Sequence, residues 1–231
     1  MPTGFVSIAD NGNWQIDADV PTLALRRAGR VASQQYTNGS TTNSRPTRVA
    51  IQLNDGEILA LSCTSHCALG AKEGNVAYVY VDAPAGQIVE YFIFAPGSAS
   101  VSSSGMQTFD ASGRITFDSG WRLFDVRHIL FGHEAANLPG GRKYAFVHAM
   151  INVSIYYTRV VNGQPPNSFI SNVRGTSFTG VSINGGSIRA ASTTIDVAAT
   201  APRAGTGVGF YETYTNNVNP ASIIIDVTNY L

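Results

Sequence analysis

Charge is what this chain has least of. Asp, Glu, Lys and Arg make up 13% of its 231 residues, about half the usual share of roughly 25%. The 15 basic and 15 acidic residues cancel, so no global field exists to draw in nucleic acid or an anionic membrane surface. Long apolar runs are missing too. The most apolar stretches, residues 88–95 and 223–225, are strand-sized and the first carries Glu90, so no membrane-spanning helix is expected. The first five residues lack a basic segment and an apolar core, which predicts synthesis in a cytoplasm without a secretory signal. Only two cysteines occur, Cys63 and Cys67. In an extended strand they would stand roughly 13 Å apart, beyond disulfide reach, and only a tight turn at Thr64-Ser65 joins them.

What replaces charge is hydroxyl and amide: Ser, Thr and Asn supply 56 residues and Gly another 23. With 44% hydrophobic residues the chain can bury a core. Apolar residues recur with period two. From Val147 to Tyr157 the odd positions are apolar and the even ones mostly polar, predicting one half-buried strand. Val49, Ile51 and Leu53, the turn Asn54-Asp55-Gly56 and residues 58–61 read as a hairpin. Residues 76–81, 88–94, 193–197 and 223–227 are further β-branched or aromatic runs. Residues 21–30 alone have helical character, over too short a span to organise a domain.

An internal repeat orders these strands. At an offset of 101 residues, the stretch from Gly4 to Asp17 falls on that from Gly105 to Asp118, and the register continues to place Arg26 on Arg127. Both copies read as a short strand, a turn closed by Gly12 or Gly113, a second strand and an Asp. The expected fold is all-β: two tandem antiparallel β-sandwich domains, residues 1–101 and 102–231, with a flexible linker at residues 99–104. The second copy is longer, and the surplus is expected as loops at residues 162–167 and 184–187.

Candidate chemistry is sparse. Cys63, His66 and Cys67 form the most metal-like cluster but offer three ligands at most, and no second Cys pair exists. His128 and His133 are separated by five residues, which places them on opposite faces of a strand, and no G-x-S-x-G or H-E-x-x-H motif occurs. Asp17 and Asp118 occupy equivalent repeat positions, so a turn role suits both better than a shared cleft. The expectation is no enzyme, no resident metal and no cofactor. Exposed aromatics are the better candidates for contact: Trp121, with Tyr211 and Tyr214 in the run 210–216. Arg outnumbers Lys 13 to 2, a bias suited to interfaces, and Arg26 and Arg127 are the repeat-related choices. Arg26, Arg27, Arg30, Arg45 and Arg48 form a loose basic stretch, expected in a solvated or interface loop.

The second copy also carries a resemblance. Gly105-Met106-Gln107-Thr108-Phe109-Asp110-Ala111-Ser112-Gly113-Arg114-Ile115-Thr116-Phe117-Asp118-Ser119, preceded by Tyr91-Phe92-Ile93-Phe94-Ala95-Pro96-Gly97-Ser98, resembles the G-x-x-x-F-x-x-x-G-x-x-x-F-D-S opening of small β-structured tail-tip, baseplate and fibre proteins of long-tailed, siphovirus-like bacteriophages. The first copy departs from it, with Trp14 and Ile16 near the aromatic position and Ala18 in place of the Ser. The resemblance implies a structural virion component in the tail, acting in assembly and host attachment. Its expected partners are other tail proteins, further copies of itself, and a host surface glycan or protein. A carbohydrate-binding module is the alternative that the aromatics leave open.

Overall fold

The computed structural model describes residues 6–8, 14–17, 21–38, 41–97, 101–162, 169–199, 203–204, 210–215 and 219–231. Among them every regular element is a strand, in line with the all-β expectation. The first segment carries β1 (Val6–Ile8), β2 (Trp14–Asp17), β3 (Leu23–Ala32), β4 (Gln34–Asn38), β5 (Thr41–Gln52), β6 (Ile58–Ser62), β7 (Cys67–Glu73), β8 (Val76–Val81) and β9 (Ile88–Pro96). The second carries β10 (Gln107–Phe109), β11 (Ile115–Asp118), β12 (Asp125–Phe131), β13 (Ala135–Asn137), β14 (Tyr144–Met150), β15 (Val153–Asn162), β16 (Phe169–Asn184), β17 (Ser187–Ala199), β18 (Arg203–Ala204), β19 (Phe210–Thr215) and β20 (Ala221–Asp226).

Two antiparallel sheets pack face to face. One has the order β12-β20-β14-β6-β9-β3, the other β13-β17-β16-β7-β8-β5-β4, with β15, β18 and β19 attached through β16. Between them lies a core to which both contribute: Val49, Val79 and Val181 from one side, Leu61, Ile93, Leu130 and Phe146 from the other. The period-two pattern explains this, because alternate residues of each strand reach one face.

The 101-residue offset reappears in the backbone. In the hairpin β1–β2, Val6 pairs with Asp17 and the register slips between Ser7 and Ile8. In β10–β11, Gln107 pairs with Asp118 and the slip falls between Thr108 and Phe109. The next strands repeat as well: β3 is bulged between Leu25 and Arg27, and β12 between Val126 and His128. The expected division into two separate sandwiches is not confirmed. Both sheets run through both segments, joined where Phe146 pairs with Leu61 and Val181 with Cys67. Each junction satisfies strand edges that a lone half would leave open.

The six-stranded sheet also closes on itself. Ala24 of β3 bridges Leu123, the Leu25 N–H donates to the Arg122 carbonyl (2.8 Å) and the Phe124 N–H to the Leu23 carbonyl (3.0 Å). The next residue, Asp125, already pairs with Asp226 in β20. The stretch that becomes β12, one end of the sheet, therefore first bonds to β3 at the other end, and the sheet must curl until opposite corners meet. Inside the curl a second core forms from Ala60, Phe92, Phe94, Ala145 and Ile225. Phe124 stands edge-on to Phe94, at 5.1 Å between ring centroids.

Several local expectations are corrected. Residues 23–32 form β3, not a helical segment, because tertiary pairing with β9 overrides a weak propensity. The turn at Gly56 exists, with φ of 78°, but β5 and β6 enter opposite sheets instead of pairing as a hairpin. The strand expected over residues 147–157 breaks at residues 151–152, separating β14 from β15. The surplus of the second segment is strand, not loop: β15 pairs with β16 over ten positions and with β19 over six. Residues 184–187 are a tight turn closing β16–β17, while 163–168 lie outside the described residues. The linker is anchored at Ser102, whose N–H and Oγ both donate to Asp118 (2.9 and 2.6 Å).

Candidate functional site

Arg26 and Arg127, aligned by the repeat, are the residues between the slipped pairs of the two bulges. A bulge leaves its extra residue outside the ladder and re-aims its side chain. Arg26 donates to the Pro96 carbonyl (3.1 Å) and lines a hollow of about 500 Å³ with Arg27, Trp121, Arg122 and Tyr230. The structure thus brings Arg26 and Trp121 together. Trp121 is only 9% exposed, packed toward Gly97, so it offers little surface for stacking. The neighbouring guanidiniums are already engaged: Arg27 grips Glu57 through two bonds of 2.8 Å and the Gln52 carbonyl at 2.7 Å, and Arg122 donates to the Tyr230 carbonyl at 3.1 Å. These contacts brace the closed corner.

Arg127 lies in a different hollow, of about 570 Å³, with Asp125, Arg142, Asp226 and Thr228. It pairs with Asp125 and stands 3.8 Å from Asp226, which Arg142 also holds. Two carboxylates and two guanidiniums neutralise one another, leaving no net charge for an anion. Asp226 is buried and accepts from the Thr228 N–H and Oγ1 (2.9 and 2.6 Å).

The bend at Thr64-Ser65 carries the chain from β6 to β7 and brings both cysteines into contact. They are buried and free, and the Cys67 thiol donates to the Val181 carbonyl (3.7 Å). The neighbouring Cys63 thiol and burial push the Cys67 thiol well up, whereas Cys67 beside it lowers Cys63. His66 turns elsewhere, its Nε2 3.3 Å from Ser182 Oγ. Among the described residues no group of three His, Cys, Asp or Glu side chains converges as a metal site.

Asp118 has the turn role. It accepts from the Gly120 N–H (2.7 Å), Gln107 Nε2 (2.8 Å) and the Ser102 donors, and the Ser102 hydroxyl leads the bonds that hold its pKa down at about 2. The side chain of Asp17 lies outside the described residues. His128 and His133 are exposed, and Glu134 accepts from the Phe131 N–H (3.0 Å) as a turn cap. Tyr211 and Tyr214 are in β19 opposite Thr158 and Ile155, and their side chains are outside the described residues. The basic stretch is not a loop: Arg26, Arg27 and Arg30 belong to β3, Arg45 and Arg48 to β5.

Sequence reasoning missed an apolar face. On the side of the six-stranded sheet that forms the curled core, Val126 pairs with Ile225, Ile129 with Ile223 and Phe131 with Ala221. Across β20, Ala145, Val147 and Met150 complete three all-apolar rows. Val126, Ile129, Phe131 and Met150 are each 44–50% exposed. The alternation of β12 hides this face, because its bulge at Arg127 shifts the period in mid-strand. No protein-family model matches the chain, and no curated protein or solved structure is significantly similar to it.

Proposed function

We propose that the chain is a structural component of a bacteriophage tail tip, baseplate or fibre, acting in tail assembly and host attachment through contacts with other tail proteins and with copies of itself. The observation that carries this reading is the exposed apolar face of β12, β20 and β14. Four large apolar side chains at 44–50% exposure on one sheet face are costly in water unless another protein covers them. The charge-poor surface supports the same reading, since neutral faces do not repel their neighbours in a symmetric assembly. Among the described residues, Asp125–Phe131 of β12 pairs with β20 on one side, and its other side, beyond the closure at residues 122–124, offers a strand edge through which a further chain can dock.

Mass spectrometry of purified virions and sedimentation of the isolated chain test the proposal together. The chain is expected among the tail proteins, and Ile129→Glu with Phe131→Glu is expected to abolish association while circular dichroism shows the fold retained, because both positions are about half exposed. A chain absent from virions, or one whose association ignores both substitutions, refutes it.

A further inference from the structure

The face of the ten-stranded sheet turned away from the core carries a third concavity, of about 760 Å³, lined by Gln34, Gln35, Tyr36, Thr37, Arg48 and Tyr78 among others. Its centre is Arg48. Val49 and Val79 point into the core, so strand alternation puts Arg48, Tyr78 and Tyr80 on the outer face. The Arg48 guanidinium carbon lies 5.0 Å from the Tyr36 ring centroid and 4.6 Å from that of Tyr78, both within cation–π range. Tyr36 is itself set edge-on to Tyr80 at 5.4 Å. Tyr80 in turn lies over Gly70, where an added Cβ would fall 2.3 Å from its ring. The clamp is therefore positioned from beneath by a residue without a side chain.

Arg48 differs from the arginines of the closed corner. Arg26, Arg27 and Arg122 all donate to protein acceptors. Among the described residues the Arg48 guanidinium faces two aromatic rings and no carboxylate. It is half-buried, so part of its hydration is already lost and its N–H fork is held ready at little entropic cost. Such a fork matches a carboxylate bidentately. The amides of Gln34 and Gln35 and the Thr37 hydroxyl, all on exposed residues, supply donors and acceptors suited to sugar hydroxyls. Arg48 is the one cation among the described residues that line the groove, and in a chain of zero net charge that suits one anionic group on a neutral polar body better than a polyanion.

We infer that this groove binds a carboxylated saccharide of the uronic-acid type, with Arg48 pairing the carboxylate and Tyr36 and Tyr78 holding the guanidinium. The inference does not rest on tail membership, and it uses residues distant from the apolar face. Calorimetric titration of the full chain with an oligogalacturonate tests it, with its carboxyl-reduced counterpart, inorganic phosphate and a polyglutamate peptide as the comparison probes. Saturable binding of the oligogalacturonate is expected, weakened at least about tenfold by carboxyl reduction and by Arg48→Gln. Arg48→Lys is expected to be intermediate and Tyr78→Phe close to the parent, since it keeps the ring. Circular dichroism checks that each variant is folded. If Arg48→Gln unfolds, Arg48→Lys and the reduced sugar decide the outcome. Equal binding of the neutral sugar, preference for phosphate or polyglutamate, or no saturable binding of the oligogalacturonate overturns the inference.

Discussion

Lowering the pH should destabilise this protein chiefly through one histidine. His148 lies on β14 with Nδ1 3.1 Å from Ser222 Oγ and its ring edge-on to Phe146 at 4.9 Å. Part of its side chain reaches the surface, but Nε2 is sealed from solvent with no partner among the described residues. Burial lowers its pKa from 6.5 to about 4. The unfolded chain therefore takes up a proton near pH 6.5 that the folded chain refuses until about pH 4, so unfolding becomes easier as the pH falls through that window. Every tenfold difference in proton affinity between the folded and unfolded chain is worth about 1.4 kcal/mol, which gives about 3 kcal/mol lost at pH 4 and below and about 2 to 3 kcal/mol already lost near pH 4.5. That is a large fraction of a typical domain's stability. Asp110 and Asp118 titrate near 2 in the folded state and contribute at lower pH, while the half-buried His66 adds to the effect with the same sign. Urea unfolding at about pH 7 and about pH 4.5 measures the difference. His148→Gln, which has no proton to gain, should remove most of it. If the variant loses as much stability as the parent over that interval, burial of the imidazole is not the cause.

Three further outcomes follow from the packing. Phe92→Ala empties the centre of the curled core, where Phe92 is fully buried with Ala60 and Ala145, and should cost about 3–5 kcal/mol in guanidinium unfolding. Gly70→Ala drives a methyl group to 2.3 Å from the Tyr80 ring and 3.1 Å from that of Phe178. It should destabilise by about 1–3 kcal/mol and shift the Tyr36 and Tyr80 ring resonances. Asp118→Ala removes the acceptor of the Ser102 and Gly120 N–H groups, and amide exchange at those two positions should accelerate while the core amides stay protected.

The period of two and short β-branched runs were enough to read the strands at residues 49–53, 58–61, 76–81 and 88–94 and the all-β class, but not β7 between them, nor that β6 and β9 bury their two faces in two different cores. The offset of 101 residues was legible for the same kind of reason: Gly113, with φ of 80°, and Asp118 do local jobs that leave local signatures. What could not be read is what the two segments do together. No local pattern announces that β6 meets β14 through Leu61 and Phe146, or that the stretch before β12 reaches back to β3. For the sites, Arg26 and Arg127 were found through the repeat, but their occupied hydrogen bonds were invisible in sequence. Arg48 sat in a stretch so rich in Ser, Thr and Asn that it read as loop. Only the pairing of β5 with β8 carries it to Tyr78.

The joining of the segments also sets a timetable for synthesis. Cys67 on β7 finds its cross-strand partner, Val181, 114 residues later in the chain. At a translation rate of about 5–20 residues per second, that gap keeps the edge of β7 waiting for roughly 6–23 s. During that interval the nascent chain displays an unpaired strand beside half of a hydrophobic core, the condition under which neighbouring chains on one message are most exposed to mispairing. Expression yield should therefore depend on how quickly the ribosome passes through residues 102–181, and slow codons placed there should lower the soluble fraction without changing the finished fold.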